Sequence, residues 1–217
     1  MARFDGTLYL VTDRDLARGR VLAEVVADAV AGGVTCVQLR EKRCSTREFL
    51  AESRAVKDAL QGTGAALIIN DRVDIALASG ADGVHVGQQD MPIADVRRLG
   101  PPGWIIGVSA ESVADAVAAE REGADYVGAS PVFATPTKAD TAPPLGLAGL
   151  RALRAAVRIP VVAIGGIQAA NAREVMASGA DGLAVVSAIM AADSPCAAAA
   201  ALRQAIREGR AGRDQNR

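Results

Sequence analysis

One short pattern occurs three times in this chain, as Gly80-Ala81-Asp82-Gly83-Val84, Gly123-Ala124-Asp125-Tyr126-Val127 and Gly179-Ala180-Asp181-Gly182-Leu183. Each copy follows residues with apolar side chains at helical spacing and leads into a short apolar run. The glycine accepts the left-handed backbone that ends a helix, and the small residues beside it let helix and strand approach closely. Repeated helix-to-strand junctions of this kind commit the chain to an α/β architecture.

Taken in order, the sequence predicts a strand over 7–13 and a helix over 19–31 stopped by Gly32-Gly33. Strand 34–39 and helix 46–60, capped by Ser45 or Thr46, come next, then strand 65–69 and helix 72–78. Strand 83–86 precedes a helix entered at Pro92 and ending near Leu99, and strand 104–108 precedes helix 111–121. Strand 125–128 leads into a Pro-rich loop, 129–146, and helix 147–157. Strand 160–164, helix 169–178, strand 182–186 and helix 195–208 complete eight strand–helix units. Most of these strands are apolar on both faces, as in a parallel sheet covered by helices. A doubly wound open sheet would also alternate. Eight units, and the absence of a GxGxxG after the first strand, favour a single-domain (β/α)8 TIM barrel over residues 1–208. Residues 209–217 lack apolar anchors and are predicted to be a frayed tail.

Composition excludes several function classes. Half of the 217 residues are hydrophobic, enough for one large core. A net charge of −1 with interspersed signs, and only one Trp, two Tyr and three Phe, argue against a nucleic-acid or membrane partner. Cys36, Cys44 and Cys196 are widely spaced, and the single His85 leaves no zinc cluster. A reduced cytoplasm is expected, since neither a signal peptide nor an apolar span is seen. The oligomeric state stays open.

On this fold, active sites sit at the carboxyl ends of the strands. Gln38, Arg40 and Lys42 alternate onto one face, with Leu39 and Glu41 on the other. Two cations beside an amide suit an anionic ligand with a hydrogen-bonding ring, although a solvated basic loop would read the same way. Asn70-Asp71, Asp90, Ser109, Thr135-Pro136-Thr137-Lys138, Gly165-Gly166 and Val186-Ser187 follow later strands. Asp71, Asp90, Ser109 and Ser187 could each be a helix cap. Two carboxylates at neighbouring strand ends among Arg40, Lys42 and Lys138 instead suit Mg²⁺ shared with substrate phosphate oxygens. Gly165-Gly166, with a short helix after the last strand, suits a second phosphate. His85, inside its strand, is expected to be structural. Two anion sites suggest a reaction that joins two phosphorylated molecules.

Together, Tyr9-Leu10-Val11-Thr12-Asp13, Gln38-Leu39-Arg40-Glu41-Lys42, Asn70-Asp71, His85-Val86-Gly87-Gln88 with Asp90, Thr135-Pro136-Thr137-Lys138 and Ala163-Ile164-Gly165-Gly166-Ile167 resemble the thiamine-phosphate synthase family over about residues 7–205. The resemblance implies condensation of hydroxymethylpyrimidine diphosphate with a thiazole phosphate. It implies that Gln38, Leu39, Arg40, Glu41, Lys42, Asn70, Ser109 and Lys138 bind the pyrimidine diphosphate, with Arg40, Lys42, Ser109 and Lys138 catalytic. Asp71 and Asp90 would hold one Mg²⁺. Thr135, Pro136, Thr137, Gly166, Val186 and Ser187 would contact the thiazole phosphate. Glu111 stands where relatives often carry His. A thiazole tautomerase on the same scaffold would not need the full diphosphate and metal set, and a non-catalytic sensor of thiamine precursors would be expected to lose a carboxylate. A phosphosugar isomerase would want an acid–base pair that is not evident.

Overall fold

The computed structural model describes residues 4–135 and 142–215. Its eight strands are β1 (Leu8–Val11), β2 (Cys36–Leu39), β3 (Ala66–Asn70), β4 (Gly83–Val86), β5 (Ile105–Ala110), β6 (Tyr126–Ala129), β7 (Val161–Ile164) and β8 (Gly182–Val185). They pair in parallel, in chain order, and β8 returns to β1 to close the barrel. The helices are α1 (Leu22–Ala31), α2 (Thr46–Ala59), α3 (Val73–Ser79), α4 (Ile93–Leu99), α5 (Val113–Arg121), α6 (Gly146–Ala156), α7 (Ala169–Ala177), a single turn α8 (Ser187–Met190) and α9 (Pro195–Gln215). The (β/α)8 barrel expected from the sequence is the fold.

Burial separates two apolar layers. Tyr9, Val11, Cys36, Ile68, Ile105, Tyr126, Val162 and Ala184 fill the barrel interior. Their strand neighbours, such as Leu10, Val37 and Leu67, face the helices and form the outer core. This is the two-residue period of a strand, apolar on both faces because both are covered. Phe4, in the segment leading into β1, stacks on Tyr126 with ring centroids 4.1 Å apart.

The repeated junction does more than turn the chain. Gly80, Gly123 and Gly179 are left-handed, with φ of 68°, 92° and 109°. Each aspartate that follows also staples its strand to the preceding one. Asp82 Oδ2 accepts the Leu67 N–H (2.8 Å), Asp125 Oδ2 that of Ile106 (2.7 Å), and Asp181 Oδ2 that of Val161 (2.9 Å). The aspartate's own N–H donates to the carbonyl of the same residue each time. A cation from the helix two elements back completes each staple, Lys57 with Asp82, Arg97 with Asp125 and Arg154 with Asp181. A fourth copy, Gly33-Val34-Thr35-Cys36, is hidden by its residues. There Thr35 Oγ1 accepts the Leu8 N–H, and the Thr35 N–H donates to the Leu8 carbonyl. The barrel is thus four two-strand units, fastened at the amino-terminal ends of the strands.

Asp125→Ala removes one staple and leaves the Ile106 N–H and Arg97 without this partner. A loss of about 1–3 kcal/mol in stability is expected, the range for a charge-assisted bond removed from one side. Asp125→Asn keeps the acceptor and should lose less. Denaturant melts of the two variants check this, and equal stability to wild type would dismiss the staple.

Two element ends depart furthest from the sequence prediction. Helix α1 starts at Leu22 because Arg18 and Gly19 are both left-handed, at φ 53° and 79°. The terminal helix passes residue 208 and runs to Gln215, so residues 209–215 are not a frayed tail. Gly209 allows close contact with Arg173 and Met176 of α7, and Arg210 donates to Thr7 Oγ1 (3.1 Å) and to the Asp181 carbonyl. Apolar anchors are not needed where arginines serve as long hydrogen-bond donors, as Arg210 and Arg213 do here.

Candidate active site

A cavity of about 800 Å³ opens at the carboxyl ends of the strands. That volume lies in the usual range for small-molecule sites. Gln38, Arg40, Lys42, Asn70, Asp71, Asp90, Ser109, Thr135, Gly166, Val186 and Ser187 all line it. Pro136, Thr137 and Lys138 lie outside the described residues. Leu39 and Glu41 do not line it. Alternation along β2 turns Leu39 into the outer core, fully buried, while Glu41 joins Arg14 (3.2 Å). Arg14 also holds Glu52 (2.6 Å). Burial, and then the Glu41 carboxylate, push the Glu52 carboxyl up to about 7.

On the pyrimidine-diphosphate side predicted by the sequence, β2 delivers Gln38 to the barrel interior and the loop after it delivers Arg40 and Lys42. The Arg40 N–H donates to Thr12 Oγ1 (3.0 Å), which fixes the loop against β1. The Arg40 guanidinium makes no ion pair among the described residues. Lys42 Nζ lies 2.6 Å from Asp71 Oδ2.

Asp71 is not a helix cap. Arg72 holds the N-cap position of α3 without a side-chain cap bond, and Asp71 itself has φ 59°. Its N–H donates to the His85 carbonyl (2.8 Å). An aspartate tolerates the left-handed region better than most residues, but such a kink still costs energy and is commonest at functional sites. Asp90 does not cap α4 either, since Pro92 is the N-cap. Its Oδ2 accepts the Gly87 N–H (2.7 Å), closing the loop after β4. Desolvation pushes the Asp90 carboxyl up, the Gly87 N–H opposes that, and the nearby Asp71 carboxylate adds to the rise. The two carboxylates therefore face one another. Among the described residues no group of three or more His, Cys, Asp or Glu gathers as a metal cluster. A pair of carboxylates is nonetheless what a hydrated Mg²⁺ uses when substrate oxygens supply further ligands.

Across the cavity, Gly166 (φ 64°) brings its backbone close to Phe133 and Ala134, where a side chain would not fit. Asn171 at the start of α7 holds this loop, donating from Nδ2 to the Gly166 carbonyl (2.9 Å). Val186 and Ser187 enter the single turn α8 beside it. Val186 is the N-cap of α8, so Ser187, the first residue of the turn, is not its cap.

The floor was the least legible part of the sequence. Ser109 lies within β5, so it is not a cap. Its Oγ is 2.9 Å from His85 Nε2. His85 Nδ1 is 2.9 Å from the Tyr126 hydroxyl, which is 2.8 Å from that of Tyr9. Gln38 Nε2 donates to Tyr9 (3.0 Å). Tyr9 and Tyr126 were missed as site residues. The available signal was Tyr126 itself, which stands in the repeated motif where the other two copies have Gly83 and Gly182. Glu111 also lines the cavity, and its N–H donates to Asp115.

The three cysteines are free, and no helix among the described residues is long and apolar enough to cross a membrane.

The family model described as thiamine monophosphate synthase matches residues 8–189. A thiamine-phosphate synthase of Albidiferax ferrireducens is 60% identical over 199 residues, covering 92% of this chain and 91% of that one. Another, of Chloroflexus aurantiacus, is 54% identical over 202 residues, with 93% of each chain covered. The solved thiamine phosphate pyrophosphorylase of Pyrococcus furiosus superposes with a TM-score of 0.86 at 42% identity, over 94% of this chain and 97% of that one. The matched span runs from β1 into α8 and so contains every described residue of the cavity, and on that ground this chain belongs to the thiamine monophosphate synthase family, whose members serve thiamine biosynthesis.

Proposed function

We propose that the chain joins 4-amino-2-methyl-5-(diphosphooxymethyl)pyrimidine to a 4-methyl-5-(2-phosphooxyethyl)thiazole, or its carboxylate, giving thiamine phosphate and diphosphate. The observation that carries this reading is the facing pair Asp71 and Asp90, set beside Arg40 and Lys42 in one cavity. The donor set fits Mg²⁺, and Asp71 and Asp90 would hold it. Bound there, the ion would neutralise charge on the departing diphosphate.

Arg40 and Lys42, together with Lys138, hold the diphosphate oxygens and stabilise the negative charge that builds as the C–O bond to the pyrimidine methylene breaks. The electron-rich aminopyrimidine carries the resulting cation. Gln38, Asn70 and Ser109 orient that ring. Thr135, Pro136, Thr137, Gly166, Val186 and Ser187 hold the thiazole phosphate so that its ring nitrogen meets the methylene carbon. Positioning of both rings supplies much of the acceleration, and no protein nucleophile is required.

The test is an assay of purified protein with both phosphorylated precursors, with and without Mg²⁺. Diphosphate release that needs both precursors and the metal is expected. No product under any condition would sink the reading.

A further inference from the structure

Five polar side chains from five strands form one hydrogen-bonded chain across the cavity floor, in the order Gln38, Tyr9, Tyr126, His85, Ser109. The chemistry of its members gives it a direction. The Gln38 amide nitrogen can only donate, so the Tyr9 oxygen accepts. A phenol has one hydrogen, and Tyr9 spends it best on the Tyr126 oxygen at 2.8 Å, because the neighbouring Cys36 sulfur is a weak acceptor. The Tyr126 hydrogen then goes to His85 Nδ1. With Nδ1 accepting, a neutral imidazole carries its proton on Nε2 and donates it to Ser109 Oγ. The Ser109 hydrogen is left to point into the cavity that Ser109 lines. At the other end, Gln38 keeps its second N–H and its Oε1 for the same cavity.

The packing is built around this chain. A Cβ at Gly107 would lie 2.0 Å from Tyr126 Cζ, and one at Gly128 would lie 3.3 Å from His85 Cε1. Burial holds both phenols well above their ordinary pKa, so they stay protonated and keep the single-hydrogen constraint.

We propose that Tyr126, with Tyr9 behind it, is a positioning residue that holds His85 as the Nε2–H tautomer and so makes Ser109 an obligate hydrogen-bond donor to the aminopyrimidine, while Gln38 is held with Oε1 available to the same ring. An aminopyrimidine edge offers both a ring-nitrogen acceptor and an amino donor, which matches this polarity. The kinetic part of the proposal rests on the reading above that the pyrimidine lies on this floor. The tautomer does not.

His85 is the only histidine, so ¹⁵N-histidine NMR reads it without ambiguity. The substrate-free wild type is expected to show the Nε2–H tautomer. Tyr126→Phe, which keeps the ring beside Gly107, should lose that preference. Tyr9→Phe should retain it, because Tyr126 still donates to Nδ1. Both variants should raise KM for the pyrimidine diphosphate about tenfold, the scale of one hydrogen bond, and leave KM for the thiazole phosphate unchanged. A wild-type Nδ1–H tautomer, or one indifferent to Tyr126→Phe, overturns the proposal whatever the activity. Equal rises in both KM values would also overturn it, showing a packing role only. A chain with the expected tautomers but no synthase activity would refute the proposed reaction and leave the positioning of Ser109 standing.

Discussion

Alanine at Asp90 or Asp71 is expected to lower Mg²⁺-dependent turnover tenfold or more, each tenfold being about 1.4 kcal/mol of barrier. Both carboxylates line the cavity, and at Asp90 desolvation and the nearby Asp71 carboxylate already oppose ionisation. Such a pair, with Lys42 already 2.6 Å from Asp71, suits the positive charge of the proposed Mg²⁺. Asp71→Ala carries a second effect, because alanine tolerates φ 59° less well than aspartate and Lys42 loses its 2.6 Å partner. Asp71→Asn isolates the charge, since asparagine also tolerates the left-handed region. The measurement is turnover against Mg²⁺ concentration, with thermal melts to confirm folding. Folded variants with unchanged rates at every Mg²⁺ concentration would refute metal binding at this pair.

Gly166→Val is expected to act on the other half of the cavity. A Cβ there would lie 2.8 Å from Phe133 Cβ and 2.9 Å from the Ala134 carbonyl, and φ 64° is hostile to a β-branched residue. Strain of about 1–3 kcal/mol falls on the loop proposed to hold the thiazole phosphate. KM for the thiazole phosphate should rise about tenfold or more, an affinity loss of about 1.4 kcal/mol per tenfold. KM for the pyrimidine diphosphate should hold. Gly166→Ala should show the same pattern in weaker form. An effect confined to the pyrimidine substrate would mean that the phosphate sits elsewhere.

The two halves of the site were legible to different degrees. Charged and special residues at strand ends, such as Arg40, Asp71, Asp90 and Gly166, announce themselves once the strands are placed, because a closed barrel brings all strand ends to one rim. Leu39 and Glu41 show the converse. Alternation predicted that they turn away from Gln38, Arg40 and Lys42, the family resemblance put them at the substrate, and their side chains lie outside the cavity. The floor could not be read in this way. Tyr9 and Tyr126 look like ordinary apolar strand residues, and their roles depend on hydroxyls meeting across the barrel from positions 117 residues apart.

The sequence by itself determined the α/β alternation, the closed eight-strand barrel and the rim residues, because those follow from local periodicity, glycine conformation and one topological rule. Only the tertiary structure decided three other features. It showed that the repeated aspartates staple neighbouring strands, that the basic carboxyl-terminal segment continues α9, and that His85 links Ser109 to a buried tyrosine pair. In each case the deciding interaction is a hydrogen bond between groups far apart in the chain. Its existence depends on distances of about 3 Å, and only the packing of strands and helices in the folded chain sets those distances.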